Sequence, residues 1–305
     1  MKNKQNILLS KIRKNYDIYL LLIPGVVFLI FFKYAPMYGL ITAFQDYNIF
    51  TGVFASPFVG FKHFSNLFGS QKFFEVLRNT LFISFGKLLV AFPLSILIAL
   101  MLNEIRLVLV KRFYQTVLYL PHFLSWVIVS GLAITALSPS TGIINKAITI
   151  FGFEPVYFLM DKVLFPWVLI LSETWKDAGY GAIVFIAAIS GINQELYEAA
   201  KIDGANKIRQ IIHVTIPGII GMILLMFIIK IGGILGVNTE QVLLLYNPTV
   251  YVTGDVLGTY IYRTGVALSN YSYATAIGFF ESLVGLTLVL IGNWISRKIS
   301  GRSIW

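Results

Sequence analysis

The chain contains six long stretches in which apolar residues run almost without interruption. A helix that crosses a bilayer needs about 20 consecutive, mostly apolar residues, and each stretch reaches that length. We therefore predict an all-α, polytopic membrane protein that forms a single transmembrane domain over residues 1–305. The six predicted transmembrane helices cover about 17–42, 79–102, 114–137, 164–189, 213–235 and 273–296.

Two of the six stretches depart from a regular apolar helix. The first contains Pro24 and Pro36, which predict a kink or an interfacial position at its outer end. The fourth contains Glu173, Lys176 and Asp177 and is the least lipid-like of the six. Because charged side chains are costly in lipid, we expect this group to face a cavity or another protein.

The composition agrees with a membrane protein. Of the 305 residues, 57% are hydrophobic and 12% are charged, and soluble domains have about twice that charged share. A soluble fold would have to cover this apolar surface with little polar material, whereas membrane lipid removes that need. The chain has no cysteine, which excludes disulfides and thiolate chemistry, and its three histidines lie far apart, so no metal site is expected.

The positive charges are distributed unevenly between the two sides of the predicted membrane. The formal net charge is +10. If the N-terminus is cytoplasmic, the inner segments hold 14 of the 24 Lys and Arg residues and the outer segments hold six. Because inner loops are enriched in Lys and Arg, both termini are predicted to be cytoplasmic, and no nucleic-acid partner is expected. The first stretch lacks a small-residue cleavage site, which favours an uncleaved helix.

The predicted cytoplasmic loop 190–212 has its own local pattern. Asn193 is a good N-cap, residues 194–202 favour a helix, and Gly204 can supply the left-handed turn that ends that helix. Two alanines on one face would allow another protein to approach closely, and Glu198 and Asp203 could pair with its basic residues. From the residues alone, partner docking and an ordinary helical hairpin at the membrane surface both remain open.

This loop and the start of the next span carry a spaced motif. It consists of Glu198-Ala199-Ala200, then Asp203-Gly204, and then Val214-x-Ile216-Pro217. The motif resembles the EAA loop of ABC importer permeases. The resemblance implies the type I ABC importer permease fold, with a cytoplasmic coupling helix between transmembrane helices 4 and 5. It assigns the contact with an ATPase subunit to Glu198, Ala199, Ala200, Asp203, Gly204 and Pro217.

The resemblance extends over nearly the whole chain. It is to the polysaccharide and oligosaccharide permease branch of Gram-positive bacteria, on motifs at 19–25, 38–50, 175–179, 244–248 and 271–276. One departure lies before Glu240-Gln241. Members of the branch tend to have an aromatic residue there, where this chain has Asn238-Thr239.

This branch implies an import complex in the bacterial cell membrane. A second permease subunit would complete a heterodimer, two ATPase subunits would bind below it, and an extracellular, lipid-anchored binding protein would deliver an oligosaccharide or modified sugar. ATP and Mg would be used by the ATPase. No cofactor is expected on this chain, which has no phosphate-binding loop motif.

A sugar pathway needs polar groups for hydroxyls and aromatic faces for the rings, and such groups should face a cavity. The candidates are Glu173, Trp175, Lys176, Tyr180, Asn238, Glu240, Gln241 and Glu281. Alternatives stay open for several of them. The charged group of the fourth span can pack against the sister subunit, the aromatic residues can anchor at the interface, and Glu281 can pair with Lys230 or Lys87.

No catalytic arrangement stands out in the sequence, so the chain is predicted to be a non-catalytic transport subunit. Two other functions remain possible. The same framework can carry a non-sugar solute, or the chain can act alone as an ion-coupled secondary transporter, for which the intramembrane charged residues are the motive.

Overall fold

The computed structural model describes residues 14–300, and side chains as far as residue 298. In this range the backbone is mainly helical, and the pairing of Gln45 with Phe58 is an isolated bridge outside any strand. The first eight α-helices are α1 (Tyr16–Leu29), α2 (Ala35–Met37), α3 (Gly52–Ala55), α4 (Lys62–Phe68), α5 (Gln71–Glu104), α6 (Val108–Tyr119), α7 (Trp126–Leu137) and α8 (Ile143–Ile150).

The second half of the chain contains the predicted coupling loop 190–212 and the long C-terminal helix. Its α-helices are α9 (Phe165–Ser190), α10 (Gln194–Ile202), α11 (Lys207–Gln210), α12 (Ile216–Gly232), α13 (Thr239–Leu245), α14 (Tyr251–Gly254), α15 (Leu257–Tyr262) and α16 (Tyr271–Ser300). The π-helical segments are Ile30–Tyr34, Ile211–Thr215 and Arg263–Ala267, and the 3-10 segments are Tyr38–Phe44, Leu120–Phe123 and Pro248–Val250.

The described helices only partly reproduce the predicted set of spans. Four helical stretches are long and apolar enough to cross a membrane: Tyr16–Phe44, Gln71–Glu104, Lys207–Gly232 and Tyr271–Lys298. A bent helix pair raises this number to five if it forms one span. Helix α9 has 26 residues but carries three charged residues near its middle. The predicted all-helical membrane fold is confirmed, whereas the count of six spans is not.

The predicted third span is interrupted, which corrects the sequence-based helix over 114–137. Helices α6 and α7 meet at an angle of 101°. Pro121 lies in the 3-10 segment between them and has no N–H group to continue a helical ladder. Ser125 then starts the second helix as its N-cap, because its side chain accepts a hydrogen bond from the Ile128 N–H.

The fifth predicted span begins and ends at residues other than those predicted from the sequence. Helical backbone runs without a break from Lys207 to Gly232, so it begins before the predicted 213–235 and ends earlier. Asn206 caps its start by accepting a hydrogen bond from the Arg209 N–H at 2.9 Å. Pro217 therefore lies inside this helix. The π-helical turn Ile211–Thr215 directly precedes it, as expected where a proline removes a backbone donor.

The first helical stretch makes little contact with the rest of the chain. Every residue from 14 to 38 is exposed, although most of this stretch is apolar. Water would penalise such a surface, so these side chains must meet lipid or another subunit. Only from Thr42 onward are residues of this stretch buried against the rest of the protein.

The interior is built around the contact between α5 and α9. Ile83 on α5 and Phe165, Leu169 and Ile170 on α9 are completely buried in one apolar cluster. Gly86 allows the two helices to approach closely, because a Cβ atom at this position would lie 2.4 Å from Cδ1 of Ile170. Further clusters join α5 to α16 and join α9 to α12.

The segment 248–267 is held against the N-terminal half of α5 by a cluster around the buried Asp255. Asp255, whose side chain is fully buried, pairs with Arg263 and accepts a hydrogen bond from Thr259 at 2.7 Å. Asn79 of α5 donates to the Val252 carbonyl at 2.8 Å. Burial lowers the pKa of Arg263, but the hydrogen bond and charge of Asp255 outweigh this, and the pKa lies above its ordinary value.

We expect Asp255→Asn to destabilise the protein by about 2 to 3 kcal/mol, because it leaves the Arg263 guanidinium without its counter-charge in a partly buried place. Thermal unfolding of the purified protein in detergent measures this change. The matched control is Asp46→Asn, since Asp46 pairs with Lys62 at 2.7 Å on an exposed surface and such pairs contribute little. Equal effects of the two substitutions would contradict a stabilising role for the Asp255 cluster.

Candidate functional site

A cavity of about 300 Å³ lies among α5, α9 and α12. Apolar side chains form much of its wall, including Phe92, Phe185 and Met226. Its polar lining consists of Ser84, Lys87, Ser95, Glu173, Asp177 and Lys230. A concave, largely apolar space with a few polar groups is the usual form of a small-molecule site.

Lys87 connects three helices on one side of this cavity. Its ammonium group pairs with Glu173 of α9 and donates a hydrogen bond to Oε1 of Gln241 at 2.9 Å. Gln241 is completely buried, and its amide nitrogen donates to the Leu169 carbonyl at 2.8 Å and to Ser172 Oγ at 2.9 Å. The network thus neutralises a buried lysine and joins α5, α9 and α13.

Lys176 points away from the cavity, towards the bend between α6 and α7. Its ammonium group donates hydrogen bonds to the backbone carbonyls of Pro121 and His122 and lies 5.7 Å from the centre of the Trp126 ring. The lysine is buried and does not line the cavity. The Pro121 carbonyl also accepts a hydrogen bond from the Leu124 N–H at 3.2 Å, whereas Lys176 is the donor to the His122 carbonyl at the bend.

Tyr180 and Asp177 both contact His122, which follows the bend. The rings of His122 and Tyr180 stack at 3.8 Å with an interplanar angle of 6°. Nδ1 of His122 lies 2.8 Å from Oδ1 of Asp177. All three side chains are partly exposed, so this group forms an accessible aromatic and polar surface next to the cavity wall that Asp177 shares.

The other predicted pathway residues lie in different surroundings. Trp175 is 52% exposed and does not line the cavity. Asn238 caps α13 by accepting a hydrogen bond from the Gln241 N–H at 3.1 Å, and Glu240 is exposed. Glu281 is half-buried on α16, beside Gly236 of the cavity wall, and forms no ion pair with Lys87 or Lys230 in the described part of the chain.

The structure therefore brings Glu173 and Gln241 together through Lys87, with Asn238 at the start of the helix that carries Gln241. It places Lys176 and Tyr180 together at His122, and it leaves Trp175, Glu240 and Glu281 apart from both groups. It also adds Lys87 and Lys230, which the sequence reasoning treated only as possible partners of Glu281. Both are intramembrane lysines, and that property alone is a signal for a functional position. The pathway roles of all these residues remain predictions.

The segment 190–217, here called the coupling segment and predicted to face the cytoplasm, has the local structure that the sequence predicts. Asn193 accepts a hydrogen bond from the Glu195 N–H at 3.0 Å and starts α10. Gly204 has a φ of 78°, in the left-handed region. The Ala205 N–H bonds to the Ala200 carbonyl at 2.8 Å and the Gly204 N–H bonds to the Lys201 carbonyl at 3.0 Å, which is a Schellman ending of the helix.

Helix α10 presents most of the motif residues to the outside. Glu198, Ala199, Asp203 and Gly204 are exposed, and Ala200 is half-buried. Exposed apolar side chains accompany them, among them Leu196 and Ile202, which is 87% exposed. An exposed helix that mixes alanine, isoleucine and acidic residues on its surface is suited to a groove on another protein.

Two contacts attach this segment to the membrane helices. Tyr197 of α10 forms a hydrogen bond of 2.9 Å with Thr215, at the end of the π-helical turn. Lys207, the first residue of the next helix, pairs at 2.7 Å with Glu104 at the C-terminal end of α5. The coupling segment is thus joined to both α5 and the α11–α12 stretch, and α5 and α12 line the cavity.

A protein family described as "Binding-protein-dependent transport system inner membrane component" matches residues 91–302, more than half of the chain. The chain belongs to this family. This confirms the resemblance to importer permeases found in the sequence, and it agrees with the multi-pass helical fold and the coupling motif described above.

Individual relatives agree with this assignment. The chain is 42% identical over 304 residues to the polygalacturonan/rhamnogalacturonan transport system permease protein YteP of Bacillus subtilis (strain 168). This match covers 100% of the present chain and 95% of YteP. The fold of the present chain is similar to that of a chain in the crystal structure of a bacterial ABC transporter involved in the import of the acidic polysaccharide alginate. The TM-score is 0.88 at 42% identity, with 96% of this chain and 99% of the other covered.

A second solved structure gives the same picture. It is a bacterial alginate ABC transporter in complex with an alginate pentasaccharide-bound periplasmic protein, and one of its chains matches this permease with a TM-score of 0.89 and 42% identity. The match covers 97% of this chain and 99% of that chain. The type I importer permease fold expected from the sequence is therefore confirmed.

We expect Lys176→Met to lower the free energy of unfolding of the permease by about 1 to 3 kcal/mol, since it leaves the His122 carbonyl at the α6–α7 bend without its donor. Thermal unfolding in detergent again provides the measurement. Lys230→Met is the control, because it removes a lysine that has no ion-pair partner in the described structure. The interpretation fails if both variants unfold at the same temperature.

Proposed function

We propose that this permease is the membrane subunit of an ATP-driven importer that moves an oligosaccharide or modified sugar into the cytoplasm. The observation that carries the proposal is the coupling segment: an exposed helix, ended by a left-handed glycine, that is fastened to two helices lining the cavity. Movement of this segment by a partner protein would be transmitted to the cavity wall.

The sugar cargo is supported by the relatives and by the cavity. YteP is named as a permease for polygalacturonan and rhamnogalacturonan, and the similar solved structures import alginate. The cavity combines aromatic rings such as Phe92 and Phe185 with carboxylates, hydroxyls and amines. Sugars need both kinds of contact, because one face of the ring is apolar and its edge carries hydroxyl groups.

The proposed complex contains a second permease subunit, two ATPase subunits and an extracellular, lipid-anchored sugar-binding protein. The exposed apolar surface of residues 14–38 is available for the sister subunit and for lipid. The coupling residues Glu198, Ala199, Ala200, Asp203, Gly204 and Pro217 are assigned to the ATPase side. In this proposal the ATPase subunits bind and use ATP and Mg, and the permease needs no cofactor of its own.

Alternating access is the proposed mechanism. Closure of the ATPase pair on ATP moves α10 and its counterpart on the sister subunit, and this stabilises the state in which the cavity opens outward. Release of the hydrolysis products restores the inward-open state. The permease residues bind, orient and release the sugar, and no covalent step takes place on them.

The proposed orientation is testable because the natural chain has no cysteine. We expect Arg106→Cys, at an exposed position of the segment 103–113 that is predicted to be cytoplasmic, to react with a membrane-impermeant maleimide only in inverted vesicles. Phe50→Cys, at a side chain that is 94% exposed, should react only in intact cells or right-side-out vesicles. The reverse pattern would overturn the assignment of both termini and the coupling segment to the cytoplasm.

We expect Gly204→Asp to reduce sugar-stimulated ATP hydrolysis by the reconstituted importer at least tenfold. No atom of this chain lies within 4 Å of a Cβ built at Gly204, so the substitution strains only the backbone locally and places a charged side chain at the proposed ATPase contact. That strain costs about 1 kcal/mol, too little to unfold the protein.

The matched control is Gly152→Asp. Gly152 has a φ of 83°, open space around it and an exposed position in the segment predicted to be external. It therefore adds the same strain and charge away from the proposed contact. If Gly204→Asp retains as much stimulated hydrolysis as Gly152→Asp, the coupling assignment is wrong.

A further inference from the structure

The four charged side chains that line the cavity differ in whether they have partners. Lys87 pairs with Glu173, and Asp177 lies in hydrogen-bond contact with His122. Lys230 also lines the cavity, but no carboxylate of the described residues lies within the 4.0 Å that defines an ion pair. The lysine of α12 is thus the charged group of this wall that lacks a counter-charge within the described structure.

An unpaired lysine in this position needs an explanation. Helix α12 is otherwise apolar from Ile216 to Gly232, and a charged side chain in such a helix is costly unless it meets water or an anion. Lys230 lies in the last turn of α12, where a cation also interacts favourably with the helix dipole. The dipole explains why a lysine is tolerated there, but not why its side chain lines a cavity.

The opposite wall offers hydrogen-bond acceptors. Lys87 contacts Oε2 of Glu173, and Oε1 of that carboxylate forms no hydrogen bond in the described structure. His122 contacts Oδ1 of Asp177, and Oδ2 is likewise unbonded there. Glu281 adds a further carboxylate beside Gly236. Carboxylate oxygens accept hydrogen bonds from sugar hydroxyls, whereas an unpaired ammonium group attracts an anion.

The charge pattern therefore suits a ligand that carries both hydroxyls and a carboxylate. We propose that Lys230 recognises the carboxylate of a uronic acid unit in the transported oligosaccharide, while Glu173 and Asp177 accept hydrogen bonds from its hydroxyls. This inference rests on the proposed sugar-import function and names the substrate class of the same cavity. It agrees with the similarity to a transporter of the acidic polysaccharide alginate.

The test uses the complete importer, with sister permease, ATPase and binding protein, reconstituted in liposomes. The probes are trigalacturonate and an alginate trisaccharide, their fully methyl-esterified forms, and maltotriose as a sugar without carboxylates. Each is supplied with saturating binding protein, and ATP-dependent uptake is measured. Two variants are compared. Lys230→Gln removes the positive charge, and Lys230→Arg keeps it.

We expect the wild-type importer to move at least one acidic trisaccharide. Lys230→Gln should reduce that uptake at least tenfold and change uptake of the esterified form by less than twofold. Lys230→Arg should retain most of the acidic uptake. Lys146→Gln is the matched control, because Lys146 is an exposed lysine of α8 that neither lines the cavity nor belongs to the surface assigned to the sister subunit, and it should change neither activity.

Two results would overturn the proposal while leaving the importer function intact. In one, the wild-type complex moves neutral trisaccharides and none of the acidic ones. In the other, Lys230→Gln lowers acidic and esterified uptake equally, or lowers neither, which would assign Lys230 to the stability of its helix end. Failure of the proposed function itself looks different, because the wild-type complex would then show no ATP-dependent uptake of any of the sugars.

Discussion

The pairing of Lys87 with Glu173 across the contact of α5 and α9 is the interaction on which the rest of the membrane domain depends. A lysine in the middle of an apolar helix is stable only with a counter-charge and hydrogen bonds, and Glu173 and Gln241 supply them. Gln241 in turn bonds to α9, so the same network places α13. Helix α9 thereby becomes the element that positions most of the cavity wall.

The second role of α9 is to hold the bend between α6 and α7. Lys176 donates a hydrogen bond to the His122 carbonyl at the bend, and the His122 ring stacks on Tyr180 of the same helix. One helix thus uses its charged residues in two directions: Glu173 towards the cavity and Lys176 towards the bend. This explains why a 26-residue span tolerates three charged residues near its middle.

The coupling segment and the cavity are connected by continuous helix. The stretch Lys207–Gly232 begins just after the left-handed Gly204 and ends beside the cavity, where Lys230 lies. The π-helical turn before Pro217 keeps this helix unbroken. At the N-terminal end of the helix, Lys207 forms an ion pair with Glu104 of α5. In the proposed mechanism, these two helices would carry a displacement of the coupling segment to both sides of the cavity.

The apolar stretches and the motif at 198–217 were enough to predict a multi-pass helical membrane protein, its family and the local structure of the coupling helix. These properties depend on residues close together in the chain: hydrophobic runs, an asparagine cap and a glycine that ends a helix. What only the tertiary structure decided were the bend at Pro121, the different partners of Lys87 and Lys176, and the position of Lys230 on the cavity wall. The reason is that a charged side chain takes the nearest suitable partner in space, and those partners lie 86 residues from Lys87 and about 54 residues from Lys176 along the chain.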